Sequence, residues 1–294
     1  MSNSRREALQ RLVASALGTS QQIASTRSCS GGCIHQAEIV TLTDGRELFV
    51  KSSCGDGDPF VKEAEGLAAI AKTQTIRTPE VITIGPLDDN EFCLVLEAIS
   101  SASPPKNFWH DFGQQLAELH RSGRSSQFGW SSDNYLGSTA QPNQPCSDWC
   151  QFWAEQRLGF QIGLAQHAGL ATSELQRQVD RVIERLDQLI GEPTDPPSLL
   201  HGDLWSGNYL VGSSGEPVLI DPAVYYGRRE AELAMPLLFG GFPDAFYAGY
   251  HSSWPLADGW RQRTNVYKLY HLLNHLNLFG ASFLDGCLQT ARQL

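Results

Sequence analysis

The sequence predicts an α+β chain of two lobes: a small β-rich lobe over residues 1–99 and a large helical lobe over residues 100–294. Three observations carry that reading. Asp44-Gly45 and Pro86-Leu87-Asp88-Asp89-Asn90 each separate two short runs that read as strands, and both lie in the first hundred residues. A Ser/Ala/Pro-rich stretch, Ala98 to Pro105, then interrupts the pattern. From Phe108 apolar residues recur at helical spacing, broken by one further hairpin.

A chain of 294 residues, 41 % hydrophobic and 18 % charged, is long enough for a large core in two lobes. Its net charge of −10 argues against a nucleic-acid partner and against an anionic membrane surface. The charge suits an amine-bearing second substrate, although a solvated acidic surface is the plainer explanation. Seven cysteines (29, 33, 54, 93, 146, 150 and 287), odd in number and without a Cys-x-x-Cys pair, suggest free thiols in a reducing compartment. No apolar run in Met1–Gly18 reads as a signal peptide and no window approaches a membrane span, so the expected location is the cytoplasm. The oligomeric state is left open.

In chain order, Ala8, Leu9, Leu12, Val13, Ala16 and Leu17 form the apolar face of a first helix ending at Gly18. A glycine turn, Cys29-Ser30-Gly31-Gly32-Cys33-Ile34-His35, follows between candidate strands. Backbone N–H groups in such a turn can cover phosphates, although an ordinary turn is the simpler reading. Asp44-Gly45 joins Gln36–Leu42 to Arg46–Ser52, and Lys51 interrupts an otherwise apolar strand. A lysine there either guards a sheet edge or reaches the phosphates of a nucleotide while paired to a helix glutamate. The following helix opens with Asp58 as its cap and Pro59 in its first turn, with Phe60, Ala64, Leu67 and Ala71 on its apolar face. At 100° per residue Glu63 shares that face and Glu65 does not, so Glu63 is the expected partner of Lys51. Glu80–Gly85 and Glu91–Glu97 complete the strands, and main-chain groups of Glu97 to Ile99 lie where an adenine edge could bind.

In the second lobe, helices are expected over Phe108–Ser122, Cys146–His167, Ser173–Ile190, Glu230–Leu238, Arg261–Phe279 and Ser282–Leu294. Between them lies His201-Gly202-Asp203-Leu204-Trp205-Ser206-Gly207-Asn208, with Asp221 thirteen residues beyond Asn208. An Asp followed five residues later by an Asn is the spacing of a kinase catalytic loop. There the Asp accepts a proton from the substrate hydroxyl while the Asn and a later Asp hold magnesium. Tyr209–Gly212 and Pro217–Ile220 read as a hairpin around a four-residue turn, a register that sets Asn208 opposite Asp221 as two ligands for one hard cation. Capping of backbone groups by Asn and Asp is the competing reading. A metallophosphoesterase would need Gly-Asn-His, but Tyr209 follows Asn208. His271 and His275 lack the glutamate of a zinc protease motif, since Leu272 stands there, and read as core or surface residues. Cys146 and Cys150 read the same way. Trp109, Trp149, Trp153 and the aromatics around Phe239–Tyr250 read as core.

A small β-rich lobe, a linker and a helical lobe with a catalytic hairpin make a protein-kinase-like architecture. The chain resembles the fructosamine kinase (ketosamine 3-kinase) family, itself similar to aminoglycoside phosphotransferases and choline kinases. The resemblance rests on Gly31-Gly32-Cys33-Ile34-His35, Phe49-Val50-Lys51, Glu63-Ala64-Glu65-Gly66-Leu67 and Phe128-Gly129-Trp130 through Asn134-Tyr135-Leu136-Gly137. It continues in the His201–Asn208 octapeptide, Asp221-Pro222-Ala223 and Leu237-Leu238-Phe239-Gly240-Gly241-Phe242. It implies ATP- and Mg²⁺-dependent phosphorylation of the sugar 3-hydroxyl of a free or protein-bound ketosamine, as a deglycation repair. It implies Asp203 as catalytic base, Asn208 and Asp221 as metal ligands, and Lys51 with Glu63 as the phosphate-positioning pair. Gly31, Gly32, Cys33 and Ile34 become the phosphate loop and the backbone of Glu97 to Ile99 the adenine hinge. Trp205, beside the base, is the candidate wall for the sugar. Asp-Pro-Ala replaces Asp-Phe-Gly and no activation segment follows, which argues against a protein kinase. Arg228-Arg229-Glu230-Ala231-Glu232 has Glu232 where the family has Asp, and no site role is assigned to it. A kinase for an aminoglycoside or amino alcohol, and an ATP-binding pseudokinase scaffold, stay open as alternatives. Cys33, a thiol among glycine amides, is either redox-active or inert.

Overall fold

The computed structural model describes residues 3–18, 20–29, 36–191, 195–238 and 240–294. The N-terminal sheet is antiparallel, with strands β1 (Ile23–Cys29), β2 (Gln36–Leu42), β3 (Glu47–Cys54), β4 (Val81–Pro86) and β5 (Glu91–Glu97) in the order β1-β2-β3-β5-β4. Helix α1 (Asn3–Leu17) covers one part of it, burying Ala8, Leu9 and Val13 against Val40, Val50 and Val95. Because β3 is the central strand, Lys51 does not guard an edge.

Helix α2 (Asp58–Lys72) connects β3 to β4. It begins at Gly57, in the left-handed conformation and without a side-chain cap, so Asp58 lies inside the first turn instead of capping it. Phe60, Ala64 and Leu67 pack on Leu94 and Leu96 of β5. Ile70, not the exposed Ala71, completes the buried residues, because it enters a second cluster with Ile76, Phe108, Phe112 and Leu219. Thus α2 faces two layers at once. Its mid-helix Gly66 allows that: a Cβ there would stand 3.0 Å from Cγ of Pro222 and 3.4 Å from Val224.

Beyond the linker, α3 (Phe108–Ser122) lies against α9 (Asp244–Ser253), a helix absent from the sequence reading because its aromatic residues blur the 3.6-residue period. Phe112 of α3, Phe246 of α9 and Phe242 just ahead of α9 meet in a buried cluster, as expected for that region. The expected Cys146–His167 helix starts later, at Trp149, where the Asp148 carboxylate accepts from the Gln151 N–H (2.7 Å). It runs as α4 (Trp149–Trp153), a π-helical turn over Ala154–Gly159 and α5 (Phe160–His167). Then come α6 (Ser173–Glu184), α7 (Leu186–Ile190), α8 (Arg229–Glu232), α10 (Trp260–Phe279) and α11 (Leu284–Arg292).

The single hairpin expected here is joined by two further strand pairs. Strand β6 (Asn134–Leu136) pairs with β7 (Thr139–Gln141), and β8 (Ser198–Leu200) with β11 (Tyr225–Gly227); β9 (Tyr209–Val211) and β10 (Pro217–Leu219) form the anticipated one. Three-residue strands are too short to show alternation, which is why they escape a periodicity reading. His271 is buried in α10, and the imidazole Nδ1 of His275 lies 2.7 Å from the His271 carbonyl one turn back. Cys29, Cys54, Cys93, Cys146 and Cys287 are free thiols. Among the described residues no helix is long and apolar enough to cross a membrane.

Candidate active site

The site is built around the β9–β10 hairpin, whose register differs from the expected one by a residue. Pro217 faces Val211, Val218 faces Leu210 and Leu219 faces Tyr209. The loop has three residues: Gly212 N–H donates to the Glu216 carbonyl (2.8 Å), Gly215 N–H donates to the Gly212 carbonyl (2.9 Å), and Gly215 takes φ +84°. A type I turn closed by a left-handed glycine uses three loop residues instead of the expected four, so Glu216 falls opposite Gly212. Asn208 therefore sits opposite Ile220, whose N–H donates to the Asn208 carbonyl (3.1 Å), and not opposite Asp221. Asp221 leaves the strand through a left-handed backbone, φ +57°, unusual for a residue with a Cβ.

That kink brings the Asp221 carboxylate to Lys51. Lys51 Nζ donates to Glu63 Oε1 (2.7 Å) and also to Asp221 Oδ1. Burial acts to lower the Lys51 pKa, but the carboxylates of Glu63 and Asp221 overcome it and hold the ammonium charged. Burial drives Glu63 upward against the pull of Lys51. Glu65 is exposed and pairs with Lys62, as the helical angle implies.

The loop ahead of β9 is fastened at several points. The buried His201 ring donates from Nε2 to the Ile220 carbonyl (2.8 Å), and its Nδ1 accepts the Asp203 N–H (3.3 Å). Burial lowers the His201 pKa, in keeping with this neutral, bridging tautomer. Gly202, at φ +87°, admits no side chain: a Cβ would stand 2.0 Å from the Ala223 carbonyl oxygen. Ala223 N–H in turn donates to the His201 carbonyl (2.8 Å).

Asn208 Nδ2 donates to the Asp203 carbonyl (2.8 Å) and to Asp203 Oδ2 (3.0 Å). The base and the candidate metal ligand five residues on are thus directly joined. Burial pushes the Asp203 carboxyl up to about 7; the Asn208 hydrogen bond opposes this, while Asp221 and Glu232 add to it. Trp205 is exposed on 38 % of its surface and lays its ring over Gly207.

The sequence reading missed Glu232. Its carboxylate, buried at 3 % exposure, accepts the N–H of His201 and that of Gly202 (3.1 Å), directly ahead of Asp203. An acid in a run of four charged residues and an alanine, with only an approximate family match, offered little signal. Arg77 was missed too: it pairs with Glu97 and with Glu216 of the β9–β10 turn, and its carbonyl accepts the Leu219 N–H (2.9 Å). At the expected adenine edge the Glu97 N–H is taken by the Glu80 carbonyl (2.9 Å), so it is no longer a spare donor. Ile99 lies past the end of β5, outside any strand. Gly31, Gly32, Cys33 and Ile34 lie outside the described residues.

Among the described residues no cluster of three or more His, Cys, Asp or Glu side chains could hold a metal alone. The Asn208 amide oxygen and the Asp221 carboxylate are hard oxygen donors, which fits a magnesium ion that takes its remaining ligands from phosphate and water. With Nδ2 committed to Asp203, the Asn208 amide oxygen is the atom it would offer.

Comparison with known proteins shows the family and the fold. The family profile described as fructosamine kinase matches residues 5–294. A probable ketoamine kinase of Synechocystis is 44 % identical over 284 residues, covering 96 % of this chain and 94 % of that protein. The chloroplastic protein-ribulosamine 3-kinase of Arabidopsis thaliana is 38 % identical over 273 residues, 92 % of this chain and 82 % of that one. A Thermobifida fusca crystal structure, provisionally assigned as a fructosamine-3-kinase, superimposes with a TM-score of 0.87 at 35 % identity, covering 99 % and 98 % of the two chains. An aminoglycoside phosphotransferase crystallised with AMP-PNP and hygromycin B shares the fold alone, with a TM-score of 0.66 at 15 % identity over 97 % and 95 %. The two-lobed, protein-kinase-like fold stands.

Proposed function

The chain belongs to the fructosamine kinase family, and we propose that it transfers the γ-phosphoryl group of ATP to the 3-hydroxyl of the sugar in a ketosamine. The observation that carries the reading is the meeting of Lys51, Glu63 and Asp221 in one ion cluster, with Asp203 bound to Asn208 beside it. Those are the polar groups that a hydroxyl phosphotransferase requires, at the strand, helix and loop positions where it requires them.

In this reading Asp203 takes the proton from the acceptor hydroxyl as its oxygen attacks. A carboxyl with a raised affinity for protons suits that task better than an ordinary surface carboxylate. Lys51 holds phosphate oxygens while Glu63 keeps its ammonium charged and aimed. Asn208 and Asp221 would hold Mg²⁺, which supplies charge neutralisation along the phosphates when bound. Trp205 forms a wall for the sugar, and the backbone of Glu97 to Ile99 borders the adenine edge. The division at residues 99 and 100 into an ATP-binding and a substrate lobe belongs to the same reading, as does a cytoplasmic deglycation role.

The test is a panel of acceptors with radiolabelled ATP: ribulose- and fructose-derived lysines, free and in peptides, beside an aminoglycoside and choline. Transfer to the amine sugars at a 3-hydroxyl is expected. Transfer to the aminoglycoside or choline alone, or magnesium-dependent ATP binding without any transfer, would overturn it.

A further inference from the structure

The β6–β7 hairpin contributes no group to the chemistry described above, yet it bonds to the two segments that carry Glu63 and Asp221. Its alternation separates the two contacts: Asn134 points inward and Tyr135 outward.

On the inner side, Asn134 Nδ2 donates to the Val224 carbonyl (2.8 Å), and Gln141 Nε2 donates to the Ala223 carbonyl (3.1 Å) and to Asn134 Oδ1 (2.8 Å). Asn143 Nδ2 also donates to Asn134 Oδ1 (2.8 Å), Arg157 Nη2 donates to Asn143 Oδ1 (2.8 Å), and the Tyr270 hydroxyl donates to Gln141 Oε1 (2.7 Å). Asn134, Gln141, Asn143 and Arg157 are each at most 4 % exposed. A buried network of this kind is costly to rearrange, because every member would lose a partner away from water. The two carbonyls it grips are the second and third residues after Asp221.

On the outer side, the Tyr135 hydroxyl donates to Asp58 Oδ2 (2.8 Å), and Ser132 Oγ, just ahead of β6, accepts from Lys62 Nζ (3.1 Å). Asp58 opens α2 and Lys62 immediately precedes Glu63. The helix then closes onto Pro222 at Gly66.

We propose that the β6–β7 hairpin holds α2 and the segment after Asp221 in mutual register, with Tyr135 as the positioning residue that keeps Glu63 on Lys51. In protein kinases the equivalent pair depends on how the helix is positioned. Here fixed hydrogen bonds from one small hairpin serve that end. The proposal rests on the reading of Lys51, Glu63 and Asp221 as the nucleotide-binding groups.

The test measures affinity for magnesium-AMP-PNP by calorimetry, which needs no acceptor, in the wild type, Tyr135→Phe, Glu63→Gln and the double variant. Removing one hydroxyl that bonds a carboxylate is expected to weaken nucleotide binding roughly threefold to tenfold while thermal stability stays within about a degree or two. A residue that acts through Glu63 is non-additive with it, so Tyr135→Phe is expected to add nothing in the Glu63→Gln background. Wild-type affinity in Tyr135→Phe, or additive losses in the double variant, would remove the proposal while leaving the Lys51–Glu63 reading intact. Wild-type affinity in Glu63→Gln would remove both.

Discussion

Lys51 and Asp221 lie 170 residues apart in the chain and form an ion pair, with Glu63 on the other side of the same ammonium. The contact ties the central strand of the sheet to the kinked residue after β10, so it reports on both parts of the molecule at once. Lys51→Met strands the Glu63 carboxylate out of water and is expected to lower stability by about 3–5 kcal/mol. Lys51→Met with Glu63→Leu exchanges the pair for apolar groups and is expected to recover most of that loss in urea titrations. Phosphotransfer is expected to stay absent in both. Activity returning with stability would show that the lysine is only structural.

Asp203→Asn removes the proposed base and keeps the side-chain shape that Asn208 contacts. A positioned base contributes about 10²–10⁴-fold, and the loss is expected in kcat, with KM for ATP little changed. A variant with normal kcat would mean that another group takes the proton.

Glu232→Gln turns one of the two oxygens facing the His201 and Gly202 N–H groups into a donor. Leaving a buried N–H unsatisfied costs about 1–3 kcal/mol, and a fall in kcat is expected with it, because the segment immediately before Asp203 loses its anchor. Glu232→Asp keeps the charge and both acceptors, so near-normal thermal stability is expected there. Equal damage from both variants would point to side-chain length as the requirement.

The buried histidines set the response to acid. Burial, with His275 and Arg157 facing it, lowers His271 to about 3, while the unfolded chain keeps an ordinary value near 6.5. Between those values the unfolded state binds a proton that the folded state refuses, so stability rises with pH there and is lost as pH falls below 6.5. From pH 6.5 to 5 this one residue is expected to remove about 2 kcal/mol. His120 and His201, also lowered by burial, add to the slope. His271→Gln is expected to flatten the dependence of the urea midpoint on pH between 5 and 7, and an unchanged slope would contradict the assignment.

Much of the site was legible from spacing. Asp203 and Asn208 are five residues apart on one loop, and Glu63 shares a helical face with Phe60 and Leu67, so local geometry alone brings them forward as candidates. Hairpin register was not legible to one residue, because Ser-Ser-Gly-Glu fits a four-residue turn as well as a three-residue turn closed by a left-handed glycine. The difference moved Asn208 from Asp221 to Ile220. The β6–β7 strands were hidden by length, although Gly137-Ser138 between them is a recognisable two-residue turn signal.

The sequence by itself determined which groups are the candidates for the chemistry and on which kinds of element they sit. Residue type, spacing and periodicity are local properties, and the His201–Asn208 octapeptide and the Lys51 strand carry them within a few residues. Only the tertiary structure decided how those groups meet. The Lys51–Asp221 pair, the Glu232 grip on the His201 and Gly202 amides, and the bridge from Tyr135 to Asp58 each join residues that are far apart in the chain. No spacing rule reaches across such distances, because these contacts exist only once packing, through Gly66 and the buried Asn134 network, has brought the two lobes together.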